Sequence, residues 1–515
     1  MGMKFPIGIQ NFEKLRKEGY QYVDKTAFVY KLVNEGTYYF LSRPRRFGKS
    51  LLISTLEAYM QGKKELFKGL ALEQLEKDWI AYPILHLDLN TEKYDSAEAL
   101  NSILNRNLVL WEEQYGSRPE EDTLAGRFCG IIRRACEQTG KPVVVLVDEY
   151  DKPLLNAIGN EDLQNEYRKT LKAVYSVLKS QDKYIKFGFL TGVTKFEKVS
   201  VFSDLNNLTD ISMLPEYVEI CGITEKELHS NFDAQVELVA QANKLTKEEC
   251  YEELKRCYDG YHFCPDSVGI YNPFSLLNTL AHYVFRDYWF ETGTPTFLVE
   301  LLKQTDFDLN KLTEEEVSDD VINSKESMRV NPVPVIYQSG YLTISSYDRR
   351  FNTYKLRFPN QEVERGFIRY LLPMYAAVKP SSGSSYLAQL VRLIEKGEPE
   401  EFMDLLQEFF SDNDYRVAGK KELYFQNVLY VVFKMIGFYV QVERCISRSR
   451  MDMILQTSDY IYIIEFKIDK SADEALQQID DKGYAGPFAS DPRRLIKIGV
   501  NFSSTTRDIQ EWKIV

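Results

Sequence analysis

Ser42-Arg43-Pro44-Arg45-Arg46-Phe47-Gly48-Lys49-Ser50-Leu51 decides how the first half of this chain folds. It lies between a short β-prone run, Tyr38 to Leu41, and a helical stretch, Leu51 to Met60. A turn ending in Gly-Lys-Ser at a strand-to-helix junction aims the first N–H groups of the helix at one point, and that point attracts phosphate. Lys49 is expected to reach the β- and γ-phosphates of a nucleotide, and the Ser50 hydroxyl to ligate Mg²⁺. The standard pattern has a further glycine five residues before Gly48, and here Arg43 stands there.

A second stretch supports that reading. Val143 to Val147 is a continuous β-branched and aliphatic run, as expected of a strand buried on both faces, and it ends in Asp148-Glu149. Asp148 is expected to hold the Mg²⁺, and Glu149 to orient or deprotonate the attacking water as the catalytic carboxylate. Thr191 and Thr194 follow the strand Ile185 to Leu190, where a polar side chain is expected to sense the γ-phosphate, the alternative being a Thr that serves as a turn or cap. Strands at Tyr38–Leu41, Ile84–Leu89, Val143–Val147 and Ile185–Leu190 alternate with helical stretches at Leu51–Met60, Ala97–Glu113 and Leu163–Leu178. Val218 to Cys221 is a weaker strand candidate. Such alternation predicts an α/β fold, a mostly parallel sheet with helices on both faces.

The chain's 515 residues suit roughly three domains. Hydrophobic residues make up 44% and charged residues 27%, an ordinary globular composition. No apolar run is long enough to span a membrane, the first residues lack an apolar signal core, and Pro6 stands where a myristoylation motif wants Ser or Thr. Seven cysteines, an odd number without close zinc-type pairs, fit reduced thiols in a cytoplasm. A net charge of −12 argues against a whole-molecule nucleic-acid glove and leaves room for a local basic groove. The four histidines pair at no metal spacing, and Tyr288-Trp289-Phe290 reads as core or domain interface.

From Glu225 to about Lys311 the pattern is mainly helical, interrupted between Tyr258 and Pro273. Val335 to Gly340 looks like a helix end with a Gly stop, followed by two hairpin strands, Tyr341–Ile344 and Tyr354–Phe358, a winged-helix order. Lys379 to Ser385 reads as a linker. Beyond it a helical stretch, Glu422 to Met435, precedes strand candidates Tyr439–Glu443, Arg450–Leu455 and Tyr460–Phe466. Glu465 and Lys467 are two apart and share one strand face. A hairpin of the last two strands would bring Asp452 to Glu465. Clustered carboxylates on apolar strands are costly unless a cation compensates, and the hard-oxygen choice is Mg²⁺, with Lys467 placed to position a water.

Arg43 to Leu51 and Asp148-Glu149-Tyr150-Asp151-Lys152-Pro153 resemble the signatures of bacterial AAA-ATPase-like proteins. Tyr22-Val23-Asp24-Lys25-Thr26, Gly192-Val193-Thr194-Lys195-Phe196, Tyr258-Asp259-Gly260-Tyr261 and Tyr271-Asn272-Pro273-Phe274-Ser275 are similar to them too. The resemblance covers nearly the whole chain and implies that the Arg-rich loop is the family's own form of the phosphate-binding loop. It assigns ATP to Arg45, Arg46, Phe47, Gly48, Lys49, Ser50, Leu51, Asp148 and Thr194. Arg45 and Arg46 offset the missing glycine by pairing with phosphate oxygens, or are simply solvated. The C-terminal acid, Glu-x-Lys and helical Gln resemble the PD-(D/E)xK nuclease superfamily, which implies Glu422, Asp452, Glu465, Lys467 and Gln478 as the active-site set for metal-assisted hydrolysis of a DNA phosphodiester. Lys420, Lys421, Arg444, Arg448, Arg450, Lys467 and Lys470 cluster around it in sequence and could contact phosphates.

The expected architecture is a P-loop NTPase domain at 1–224, a helical and winged-helix region at 225–378, and a smaller restriction-endonuclease-like α/β domain at 386–515. The expected function is an ATP-regulated nuclease with ATP and Mg²⁺ as cofactors. The alternative is a nucleotide-dependent switch or DNA-binding regulatory protein that does not cut. DNA and further copies of the chain are candidate partners, and a membrane is not.

Overall fold

The computed structural model describes all residues except 1–2, 91–92, 196–201, 203–204, 206, 292–297, 299–300, 303–306, 315, 323–330, 376–379, 412–420, 438, 448–449 and 507. The chain folds into two compact units. The first comprises 1–301 and 313–363, the second 302–312 and 364–515.

The first unit is built on strands β1 (Tyr38–Ser42), β2 (Ile84–Asp88), β3 (Val143–Asp148), β4 (Ile185–Gly192) and β5 (Thr209–Asp210). They pair in the order β2-β3-β4-β1-β5, every pair parallel. β3 is buried at all six positions, as its unbroken apolar run requires. Parallel pairing needs crossovers, supplied by the helices Lys49–Met60, Ala97–Tyr115, Leu124–Thr139 and Glu161–Ser180. The apolar stripes of the last three close on the sheet in one core that includes Leu104, Ile131, Leu171 and Leu178. All the parallel strands end at the same edge, so Ser42, Asp88, Asp148 and Gly192 line one rim, where ligands of open α/β sheets bind.

Val218 to Cys221 is not the fifth strand. Pro215 opens a 3-10 helix, Pro215–Ile220, which buries Tyr217 and Ile220 one turn apart, and Thr209–Asp210 takes the edge position instead. The middle region has the expected helices, Glu225–Asn243, Lys247–Tyr258 and Pro273–His282, the first two opened by capping boxes at Thr224 and Thr246. Two short antiparallel strands, β6 (Ile223–Thr224) and β7 (Ile270–Tyr271), tie the start of the first helix to the start of the third. A short helix, Val333–Gln338, leads into antiparallel strands β9 (Thr343–Asp348) and β10 (Thr353–Arg357), the helix-then-hairpin order, and β8 (Glu316–Ser318) pairs along the outer edge of β10. These helices and strands fall within the first unit, with the parallel sheet.

The longer segment of the second unit runs from Glu364 to Val515. The expected linker is the start of a helix, Pro380–Lys396. Proline is tolerated in a first helical turn, and the buried stripe Leu387, Leu390, Val391 and Ile394 drives the helix. Five strands follow, β11 (Gln441–Ser447), β12 (Arg450–Gln456), β13 (Tyr460–Ile468), β14 (Arg494–Ser503) and β15 (Asp508–Ile514), in sequential order. Only β13 and β14 are parallel, joined by the crossover helix Ala472–Asp481. Among the described residues no helix is long and apolar enough to cross a membrane.

Candidate functional sites

The phosphate-binding loop leaves β1 at Ser42 and enters its helix at Lys49. Gly48, the residue before the helix, is left-handed at φ +93°, and a Cβ there would meet nothing within 4 Å, so the loop has open space above it. Lys49 is 4% exposed. Its ammonium donates to the carbonyls of Arg43 (3.1 Å) and Pro44 (3.3 Å) and stands 3.6 Å from Glu149 Oε1. Ser50 and Leu51 are half-buried in the first helical turn. Phe47 is buried, edge-on to Tyr261 at 4.7 Å. Arg46 takes a left-handed φ of 67° and lays its exposed guanidinium 5.0 Å from the Phe274 ring centre. The Arg45 carbonyl accepts from Trp289 Nε1 at 3.0 Å, which makes Trp289 buried core of this unit.

Glu149 is also left-handed, at φ 55°, a conformation costly for a side chain with a Cβ, and one that persists where the surroundings over-determine it. The turn is pinned on both sides. Asp148 Oδ1 accepts from the Thr191 hydroxyl (2.7 Å) and the Glu149 N–H (3.0 Å), and the Tyr150 N–H donates to the Thr191 carbonyl at 2.9 Å. Asp88, the register partner of Asp148 across β2 and β3, has its carboxyl held above the usual range by burial, with Asp148 adding to the effect.

Asp151 is the residue that sequence reasoning missed. It is fully buried, and its carboxylate accepts from Val193 N (3.2 Å), Thr194 N (2.6 Å) and Thr194 Oγ1 (2.7 Å). Burial and then the nearby Glu149 charge push its pKa up to about 6, against the lowering effect of those donors. In sequence Asp151 stands only as one residue of the Asp148–Pro153 signature, with no role of its own. Its partners lie some 43 residues downstream, so no local signal marks it. Thr194, expected at the γ-phosphate, is fully buried, and its hydroxyl donates to Asp151.

In the second unit, Asp452 is the register partner of Glu465 across the antiparallel pair β12 and β13, which puts the two positions on one sheet face. The Asp452 side chain itself is not described. Glu465 is fully buried, and Lys467, two residues on, is 8% exposed. Lys467 Nζ donates to Glu465 Oε1 at 2.6 Å and to Gln478 Oε1, while Gln478 Nε2 donates to Glu465 Oε1. Gln478 comes from the crossover helix. That helix reaches the sheet over Gly499, the register partner of Glu465 on β14, where a Cβ would stand 2.3 Å from the Ala472 carbonyl oxygen. Glu422 lies at the start of the helix Lys421–Ile436, its side chain outside the described ones. Of the basic cluster, Lys420 and Arg448 fall outside the described residues, and the side chains of Lys421, Arg444 and Arg450 are likewise not described. Lys467 is bound within the site, and Lys470 is exposed, 3.9 Å from Glu474. Among the described residues no three His, Cys, Asp or Glu side chains converge as a metal cage.

The predicted AAA-ATPase family model matches residues 6–202, and the PD-(D/E)XK nuclease superfamily model matches residues 420–512. The "uncharacterized protein in vnfD 5′ region" of Azotobacter chroococcum mcd 1 is 36% identical over 517 residues, covering 98% of each chain. Among solved structures, the ORC2 protein of Aeropyrum pernix (ADPNP-ADP complexes) aligns over 67% of this chain and 93% of its own at 11% identity. Its TM-score of 0.27 is too low for that likeness to carry an argument.

Proposed function

The chain belongs to the AAA-ATPase-like family and carries a PD-(D/E)XK nuclease superfamily domain, and from that premise we propose that it is an ATP-regulated, metal-dependent DNA nuclease. One observation supports the cleavage half most strongly: β12 and β13 pair in the register that sets Asp452 opposite Glu465, with Lys467 and Gln478 on the same buried acid.

The residues fit the groups they would hold. Lys49 and Ser50 directly follow Gly48, where a Cβ would meet nothing within 4 Å, and Thr191 fixes the Asp148 carboxylate by its hydroxyl. These are the donors and hard oxygens that a Mg²⁺-nucleotide requires. Glu149, held near Lys49 by its strained turn, is placed to accept the proton of the attacking water. Asp452 and Glu465 would hold a divalent cation at the nuclease site. Bound Mg²⁺ supplies positive charge against the phosphate oxygens at either site. Lys467 holds the water that attacks the phosphodiester, and Gln478 fixes the Lys467 amine in place.

A second reading is a nucleotide switch that binds DNA without cutting it, and it draws on the Lys467 amine being engaged by both Glu465 and Gln478. Incubating the purified chain with plasmid and linear DNA, with Mg²⁺ or Mn²⁺, separates the two. Cleavage that Glu465→Gln abolishes supports the nuclease, and DNA retention without cleavage supports the switch. We also propose a cytoplasmic location, which an odd number of cysteines without close pairs suits.

A further inference from the structure

Arg43 stands where the standard phosphate-binding loop has glycine, and neither sequence nor family gives it a part. We propose that Arg43 is a positioning residue of the nucleotide site: an internal strut that, with the aromatic side chains of the middle region, fixes the loop carbonyls that hold Lys49. The inference rests on the loop binding a nucleotide.

Arg43 is 1% exposed. Its guanidinium donates to the carbonyls of Ser42 (2.9 Å), Ser212 (2.7 Å) and Tyr217 (3.1 Å), and stacks 3.9 Å from the Phe263 ring centre. A buried cation is costly unless its donors are met; three carbonyls meet the two terminal nitrogens and a ring faces the planar fork, while Nε stays without a hydrogen-bond partner. Burial pulls its pKa down to about 10, which leaves it charged at neutral pH. The side chain thus ties β1 to the segment before the 3-10 helix. On the other side of the same residue, the main-chain carbonyl accepts from Lys49 Nζ.

The next four loop residues are held from outside as well. Pro44 packs so closely on Gly340 that a Cβ there would stand 2.5 Å from the Pro44 side chain. Trp289 bonds the Arg45 carbonyl, Phe274 lies under Arg46, and Tyr261 and Phe263 enclose Phe47. Five consecutive positions are therefore shaped by residues at least 169 places downstream, counting from Arg43 to Ser212. The Arg-rich loop is not a standard loop with a defect. A standard loop closes by glycine flexibility, whereas this one is closed by packing, so nucleotide affinity is set by the middle region.

Three measurements test this. Calorimetry with a non-hydrolysable ATP analogue reads affinity in wild type, Arg43→Gly, Arg43→Lys and the milder Phe263→Leu. Arg43→Gly makes the loop more standard, yet the strut requires it to weaken binding by about tenfold or more. Arg43→Lys keeps the charge, loses the fork and should weaken binding too. Millimolar guanidinium should restore affinity to Arg43→Gly and not to Arg43→Lys, an effect a merely unfolded variant cannot show. Hydrogen exchange without nucleotide should be faster at residues 43–49 in all three variants, with β2, β3 and the two helices between them unchanged. Unchanged or tighter binding by Arg43→Gly, or unchanged exchange in the loop, overturns the proposal. Failure of wild type to bind, with the exchange effect present, overturns the nucleotide reading and leaves the strut standing.

Discussion

The two candidate sites solve the same problem, holding a lysine beside a carboxylate, in opposite ways. At the loop, Lys49 and Glu149 come from segments about a hundred residues apart, and the lysine is held mainly by main-chain carbonyls at 3.1 and 3.3 Å. In the second unit, Glu465 and Lys467 are neighbours on one face of β13, and strand geometry brings them to a 2.6 Å contact that Gln478 of the crossover helix bonds from both sides. The first arrangement depends on loop shape and on distant packing. The second is rigid once the sheet forms. A site that must respond to a ligand suits the first construction, and a site that must cut at a fixed geometry suits the second.

The largest expected effects break the rigid site. Glu465→Gln and Asp452→Asn should each reduce DNA cleavage to background and remove Mn²⁺ binding measured by calorimetry, because a neutral amide is a poor ligand for a hard cation. Lys467→Ala should slow cleavage by about 100-fold or more while Mn²⁺ still binds, since the amine positions water and is not a ligand.

At the adaptable site the next effect is on chemistry. Glu149→Gln should bind ATP near the wild-type affinity and release phosphate about 100- to 10,000-fold more slowly, the range for a lost general base. Wild-type turnover in that variant would show that Glu149 does not activate the water. Lys49→Ala should weaken ATP binding by about 2–3 kcal/mol, a calorimetric loss of roughly 30- to 150-fold, without lowering the melting temperature of the second unit's sheet.

The smallest effect is on stability. Asp151 titrates near 6 in the fold against an ordinary value of 3.8, so the folded state favours its protonated form. Stability is therefore highest, as far as this group is concerned, below about pH 4, and falls as pH rises through 6. Urea melts at pH 4 and pH 7 should show that slope in wild type and a flatter one in Asp151→Asn. An equal slope in both would show that Asp151 is not held in that state.

The contrast between the sites also explains what could be read without a structure. Glu465 and Lys467 could be placed on one face from spacing, because alternation along a strand is a fixed geometric rule, whereas Asp452 depended on a hairpin register that only the pairing of β12 and β13 gives. β1 to β4 were legible for a related reason, since runs such as Val143 to Val147 have no other stable home than a buried parallel strand. Arg43 and Asp151 were not legible, because what defines them is a carbonyl at Ser212 or Tyr217 and an N–H at Val193 or Thr194, each brought near only by the tertiary fold. Pro215 and Pro380 misled for opposite reasons: one turned an apolar run away from strand, the other opened a helix where Ser and Gly suggested a linker.

The most direct test is the rate of Mn²⁺-dependent plasmid cleavage by the full chain as ATP is varied. ATP should change the rate in wild type, Lys49→Ala should still cut but no longer respond to ATP, and Glu465→Gln should not cut at any ATP concentration. Cleavage by wild type that is indifferent to ATP, or no cleavage under any condition, would contradict an ATP-regulated nuclease.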